Sequence, residues 1–319
     1  MHGLGISSSD FVVSGPNASL AFLLCEKGFD VWIGNARGNK YSKAHKIYSP
    51  KSLEFWNFTW HEISILDLPA MIDYITEVTG QKQVRYFGHS QGTTNYLVLN
   101  SMMPEWNDRF KSAHLMAPVA YINNAKNAFL NLVAPLVGQP NALREVLGSF
   151  EFKPSKETAL VLKALMCNGS LPEQAKILCE NSLFLSTEFN EDTVDYDLIP
   201  DIMATTPTSL SANQYLHFFQ EFKSGYFRQF DYGFARNLIK YGSFSPPNYE
   251  LKNIKGPVFL YYGKSDKFVS RIDFDRLIEQ LPNSTLAGLY VVPVENFDHL
   301  AFLYTKNVRE KLYNQASIN

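Results

Sequence analysis

The chain has 319 residues, 45% of them hydrophobic, and a formal net charge of −2. That is enough apolar material for one large domain or a domain with an insertion, and so even a charge balance offers no basic stripe for a nucleic acid. No apolar run is long enough to span a bilayer, and Met1-His2-Gly3-Leu4, followed by polar Ser7-Ser8-Ser9-Asp10, does not read as a secretory signal peptide.

A helix is predicted over 17–27, with Pro16 at its start and Gly28 at its end. Cys25 lies in its apolar run and is expected to be a buried thiol. Residues 29–34, Phe-Asp-Val-Trp-Ile-Gly, read as a short buried strand, 35–39 as a polar turn, and 41–60 as a loop. Ile63, Leu66, Ala70, Ile72 and Ile75 recur at helical spacing, so 62–77 reads as an amphipathic helix that Pro69 should kink or break. A strand leads into Gly88-His89-Ser90-Gln91-Gly92, a helix follows over Asn95 to Met102, and Ala113 to Pro118 is a further strand. Strands alternating with helices predict an α/β fold, a mostly parallel sheet with helices on both faces.

The rhythm changes over 121–253. Helices are predicted at 130–137, 157–166 and 209–223, with no clean strand. This stretch reads as a helical cap or lid inserted between two parts of an α/β core, 1–120 and 254–319. In the second part, 256–263 is a strand, 271–280 a helix, 282–283 a turn, 289–294 a last strand and 300–313 a closing helix.

Gly-x-Ser-x-Gly between a strand and a helix is the setting of a nucleophile elbow, in which the serine is forced outward at the top of a sheet. A serine hydroxyl needs a base, usually histidine, itself oriented by a carboxylate. In chain order these should follow as serine, acid, histidine. Asp266 directly follows the strand at 257–262, and His299 follows the last strand. Ser90, Asp266 and His299 are therefore the candidate catalytic residues. Asp273 and Asp275 fall inside the next helix, and Asp298 is adjacent to the base it would have to orient. His217 reads as a packed or surface residue of the insertion, and His89 as structural. An oxyanion needs preorganised N–H donors. The amide after the nucleophile, Gln91, is one. An amide in an early His-Gly-type loop is the other, and Leu4 in His2-Gly3-Leu4 fits.

No metal-ligand cluster and no phosphate-binding glycine loop occurs, so no cofactor is expected. Cys167 and Cys179 are close enough in sequence to pair, though spacing alone does not decide it. Sequons at Asn17, Asn57, Asn168 and Asn283 give mild support to a secretory route and N-glycosylation. The competing readings are a lipid-binding protein without catalysis, since fold does not fix function, and a different hydrolase. An epoxide hydrolase would carry aspartate at position 90; a peptidase is not excluded by the triad alone.

Several blocks together resemble the acid lipase family of gastric and lysosomal lipases, closest to its insect members. They are His2-Gly3-Leu4, Asp30-Val31-Trp32-Ile33-Gly34-Asn35-Ala36-Arg37-Gly38-Asn39, Leu68-Pro69-Ala70-Met71-Ile72-Asp73-Tyr74, Gly88-His89-Ser90-Gln91-Gly92 and Tyr262-Gly263-Lys264-Ser265-Asp266. The resemblance covers essentially the whole chain. It implies an α/β-hydrolase fold with a helical cap and lid, and a secreted or lysosomal hydrolase of triacylglycerols or sterol esters that makes transient contact with a lipid interface. The triad and oxyanion assignments transfer by position. The family has several strands before its His-Gly-Leu, and this sequence starts at that motif, so the first strands are missing. An apolar sheet edge is then expected to be exposed, and Leu4 is expected near a disordered terminus. The family's close-spaced cap disulfide has no clear counterpart unless Cys167 and Cys179 supply it.

Overall fold

The computed structural model describes residues 1–152, 156, 160, 163, 164 and 194–314. The helix predicted at 157–166, together with Cys167, Asn168 and Cys179, lies outside the described residues.

Helix α1 is Leu20–Glu26. It buries Leu20, Ala21, Leu23 and Leu24, and the next residue, Cys25, rotates out of that face. Cys25 is thus an exposed free thiol, not a buried one. Residues 29–34 form no regular element and pair with no strand, and Phe29 and Trp32 are exposed, Trp32 by 41%. A strand needs a neighbour for its backbone groups. Here a cleft of about 700 Å³, lined by Val31, Ile33, Val84 and Phe87 among others, borders this segment. The expected buried strand is therefore absent.

Thr59 starts the next helix with a capping box: its hydroxyl accepts from the His61 amide, and Glu62 accepts from the Thr59 amide. After Trp60–Glu62 the helix widens into a π-turn, Ile63–Asp67, and continues as α2, Leu68–Thr79. Pro69 has no N–H to donate and sits just past the wide turn. The irregularity expected at Pro69 is this bulge, one turn earlier, and the helix is not broken. Gly80 ends it in the left-handed conformation.

Strand β1 is Val84–His89, followed by α3, Gln91–Met102, and β2, Phe110–Met116. The chain then runs through α4, Ala128–Val133; α5, Pro140–Leu147; α6, Ile199–Thr205; α7, Ala212–Ser224; and α8, Phe234–Tyr241. Among the described residues this region contains isolated bridges and no strand. Strand β3, Val258–Tyr262, leads to α9, Arg271–Gln280, and β4, Leu286–Val291. The last strand begins three residues earlier than predicted. It admits Gly288 because a β-carbon there would meet the Phe259 ring at 2.6 Å. The closing helix is split into α10, Ala301–Tyr304, and a π-turn, Arg309–Tyr313, with Asn307 at φ 56° between them.

The four strands are all parallel and lie in the order β1-β2-β3-β4. Parallel sheets need cover on both faces. One face packs on Leu97, Leu115, Leu260 and Phe274, the other on Leu24, Met116, Tyr261 and Phe302. The carboxyl ends of β1, β3 and β4 therefore open toward one edge, where Ser90 and the loops carrying Asp266 and His299 are found.

Candidate active site

Ser90 links β1 to α3 with φ 53° and ψ −122°. A positive φ at a residue with a β-carbon is strained and holds only when its surroundings fix it. Here they do. The Ser90 amide donates to Met116 O at 3.0 Å, and its carbonyl accepts from Thr93. A β-carbon at Gly88 would lie 2.9 Å from the Gly92 backbone, and one at Gly92 would lie 2.2 Å from Met1 O. The two glycines serve close backbone approach.

Ser90 Oγ and His299 Nε2 are 2.7 Å apart, and His299 Nδ1 and Asp266 Oδ2 are 2.8 Å apart. Asp266 and His299 are buried, while Ser90 is partly exposed. Asp266 uses its other oxygen to accept the Phe268 and Val269 amides at 2.8 and 3.0 Å, which fixes the carboxylate plane. The competing acids are engaged elsewhere. Asp273 accepts from Asn124 and Ser270, Asp275 pairs with Arg271, and Asp298 accepts the Leu300 and Ala301 amides at the start of α10. His217 is a packed residue, stacked on Trp60 at 3.6 Å.

The amino-terminal residues are pinned. Met1 O accepts the His89 amide at 3.1 Å, and the Met1 ammonium donates to Phe87 O at 2.6 Å. Burial pushes that ammonium down to about 5. His2 and Gly3 are buried, so the expected disorder around Leu4 does not occur. Leu4 and Ser90 line one cavity, of about 40 Å³, with Val119, Leu130, Phe218 and Phe268. Gln91 begins α3, where the first amides of a helix have no intrahelical acceptor. The amides of Leu4 and Gln91 carry no protein acceptor among the described residues.

Two site contacts were not foreseen. His89 Nε2 donates to the His299 carbonyl at 2.9 Å, so the residue before the serine also holds the residue that faces it. Burial, reinforced by His299, lowers His89 to about 3 and keeps it neutral. The Gln91 side chain donates to Gln214 of α7 at 2.8 Å. Nothing local in sequence marks Gln214, which is distant in the chain. Among the described residues no cluster could hold a metal ion, and no helix is long and apolar enough to cross a membrane.

A parallel sheet with a strained strand-to-helix serine at its carboxyl edge defines the α/β-hydrolase class, and the α/β hydrolase fold family matches residues 1–304. A solved monoacylglycerol lipase from Paleococcus ferrophilus shares the fold with a TM-score of 0.54 at 16% identity, covering 99% of this chain and 90% of that one. Lipase 3 of Drosophila melanogaster is 49% identical over 316 residues, 99% of this chain and 79% of that protein. Human gastric triacylglycerol lipase is 33% identical over 315 residues, 98% of this chain and 76% of that protein. The chain belongs to the acid lipase family of α/β hydrolases.

Proposed function

We propose that the protein is a lipase-type serine hydrolase of carboxylic esters, acting on triacylglycerols or sterol esters through an acyl-enzyme. The observation that carries this is the unbroken hydrogen-bond line from Ser90 Oγ through His299 to Asp266. As Ser90 Oγ attacks the ester carbonyl, His299 Nε2 takes its proton, and Asp266 stabilises the imidazolium through Nδ1–H. The Leu4 and Gln91 amides receive the oxyanion. Collapse expels the alcohol, which takes the proton from His299 and leaves an acyl-Ser90 ester. Water then attacks that ester by the same route and releases the acid. The cavity beside Ser90 is lined mainly by apolar side chains, among them Val119, Leu130 and Phe268, which supports an apolar acyl group there.

In the same reading residues 121–253 form the cap, the substrate is drawn from a lipid interface, and the protein is secreted or lysosomal. The exposure of Asn17, Asn57 and Asn283 supports glycosylation there. The test is hydrolysis of p-nitrophenyl butyrate and palmitate. Ser90→Ala should lower kcat by at least about 10³-fold; equal rates in the two proteins would overturn the proposal.

A further inference from the structure

The DVWIGNARGN block, residues 30–39, is the most distinctive in the sequence, yet none of its side chains enters the reaction described above. Its polar end closes on the ring of His2. The Ala36 amide donates to His2 Nε2 at 3.0 Å, and Asn39 Nδ2 lies 3.3 Å from the same atom. The Asn39 amide is oriented by its other bonds: Nδ2 donates to Asn35 Oδ1 at 2.8 Å, and Oδ1 accepts the Tyr41 amide at 2.9 Å. The block is itself anchored, because the Arg37 amide and guanidinium both donate to Asp67, and Asn35 bonds Ser8.

These contacts settle the His2 tautomer. An amide N–H only donates, so Nε2 is the acceptor and the ring proton resides on Nδ1. Nδ1–H then donates to Gly3 O at 2.8 Å. The carbonyl of Gly3 and the N–H of Leu4 belong to one trans peptide and point in opposite directions. Holding Gly3 O on the ring therefore turns the Leu4 N–H away from it. Gly3 is packed on the nucleophile itself, since a β-carbon there would lie 2.9 Å from Ser90 Cβ.

We propose that His2 is a positioning residue for the oxyanion hole: its ring, clamped by residues 36 and 39, fixes the Gly3–Leu4 peptide plane so that the Leu4 N–H faces the attacked carbonyl. This rests on Leu4 being an oxyanion donor, as proposed above. Burial lowers the ring to about 4. It therefore stays neutral, with Nε2 free to accept, across mildly acidic conditions.

Two variants separate positioning from bulk stability. His2→Asn keeps a donor near the Nδ1 position, within reach of Gly3 O. His2→Gln carries its amide out toward Nε2 and cannot bond its own neighbouring carbonyl in the same way. Steady-state hydrolysis of p-nitrophenyl butyrate and inhibition by an aliphatic trifluoromethyl ketone, whose serine adduct is an oxyanion, are the readouts. His2→Gln should lose about 10²-fold in kcat, as for loss of one oxyanion donor, with KM within threefold. Its ketone affinity should fall in parallel, and His2→Asn should recover at least tenfold of the kcat loss. Equal kcat in the two variants, whether both near wild type or both depressed, would overturn the assignment. So would losses confined to KM or to melting temperature. Absence of turnover in the wild-type protein would instead refute the ester-hydrolase reading on which the assignment rests.

Discussion

At the residue scale, Asp266 is the most informative position after the serine. Its two oxygens are divided: one receives His299 Nδ1, and the other receives two backbone amides of its own loop. Replacing it with asparagine keeps the shape and the loop contacts but offers an amide that can present a donor to the ring. That favours the wrong histidine tautomer, with the proton moved to the nitrogen that should accept from Ser90. Asp266→Asn should lower kcat by about 10⁴-fold with little change in KM. Paired kcat and melting-temperature measurements check this; a variant within tenfold of wild type would remove Asp266 from the relay.

At the element scale, the elbow is assembled from two distant segments. The carbonyl of Met1 enters where Gly92 has no side chain, and β1 receives Met1 through Phe87 and His89. Gly92→Ala places a methyl group into the Met1 carbonyl, and the amino-terminal segment must move. The expected cost is about 3 kcal/mol of stability, from overpacking, together with a fall in kcat as the Leu4 amide shifts. Urea unfolding and ester turnover check both parts; unchanged values in both would show that the segment is not bound as described.

The same elements show what was legible in sequence. Val84–His89 and Arg271–Gln280 are recognisable because apolar runs and helical periodicity are local signals. The segment at 29–34 has an equally good strand composition but no strand beside it, and pairing is a tertiary property. Gly288 hides the start of β4, since its fitness depends on the Phe259 ring across the sheet. Asp266 and His299 could be nominated by chain order and by their places just after strands, with their mutual distances unknown. The links from His89 to His299, from Gln91 to Gln214 and from His2 to Ala36 join residues far apart in the chain, and no spacing rule announces them.

At the scale of the whole molecule, several buried histidines set the response to acid. Burial lowers His2 and His114 to about 4 and His89 to about 3, and takes His217 well down. Each is depressed in the folded chain relative to about 6.5 in the unfolded one. Their contribution is present above pH 6.5 and is lost as pH falls from there through the folded values, because the unfolded chain takes up protons that the folded chain refuses. Buried Glu221 acts oppositely. Its carboxyl is raised by burial, against the pull of Arg228, so its contribution is present in acid and is lost as pH rises. His114 is the cleanest probe, stacked between Phe87 and Phe259 and remote in role from the relay. His114→Phe should remove about 2 kcal/mol of the stability difference between pH 7 and pH 5. Denaturant unfolding at the two pH values measures it, and an unchanged difference would mean that His114 is not held neutral.

The proposed reaction turns on Ser90. Rapid mixing with excess p-nitrophenyl butyrate, followed by acid quench and peptide mass spectrometry, reads it directly. A stoichiometric burst of p-nitrophenol and one butyryl group on the peptide carrying Ser90 are predicted, both absent from Ser90→Ala. Turnover with the acyl group on another residue, or with full activity in Ser90→Ala, would contradict the mechanism.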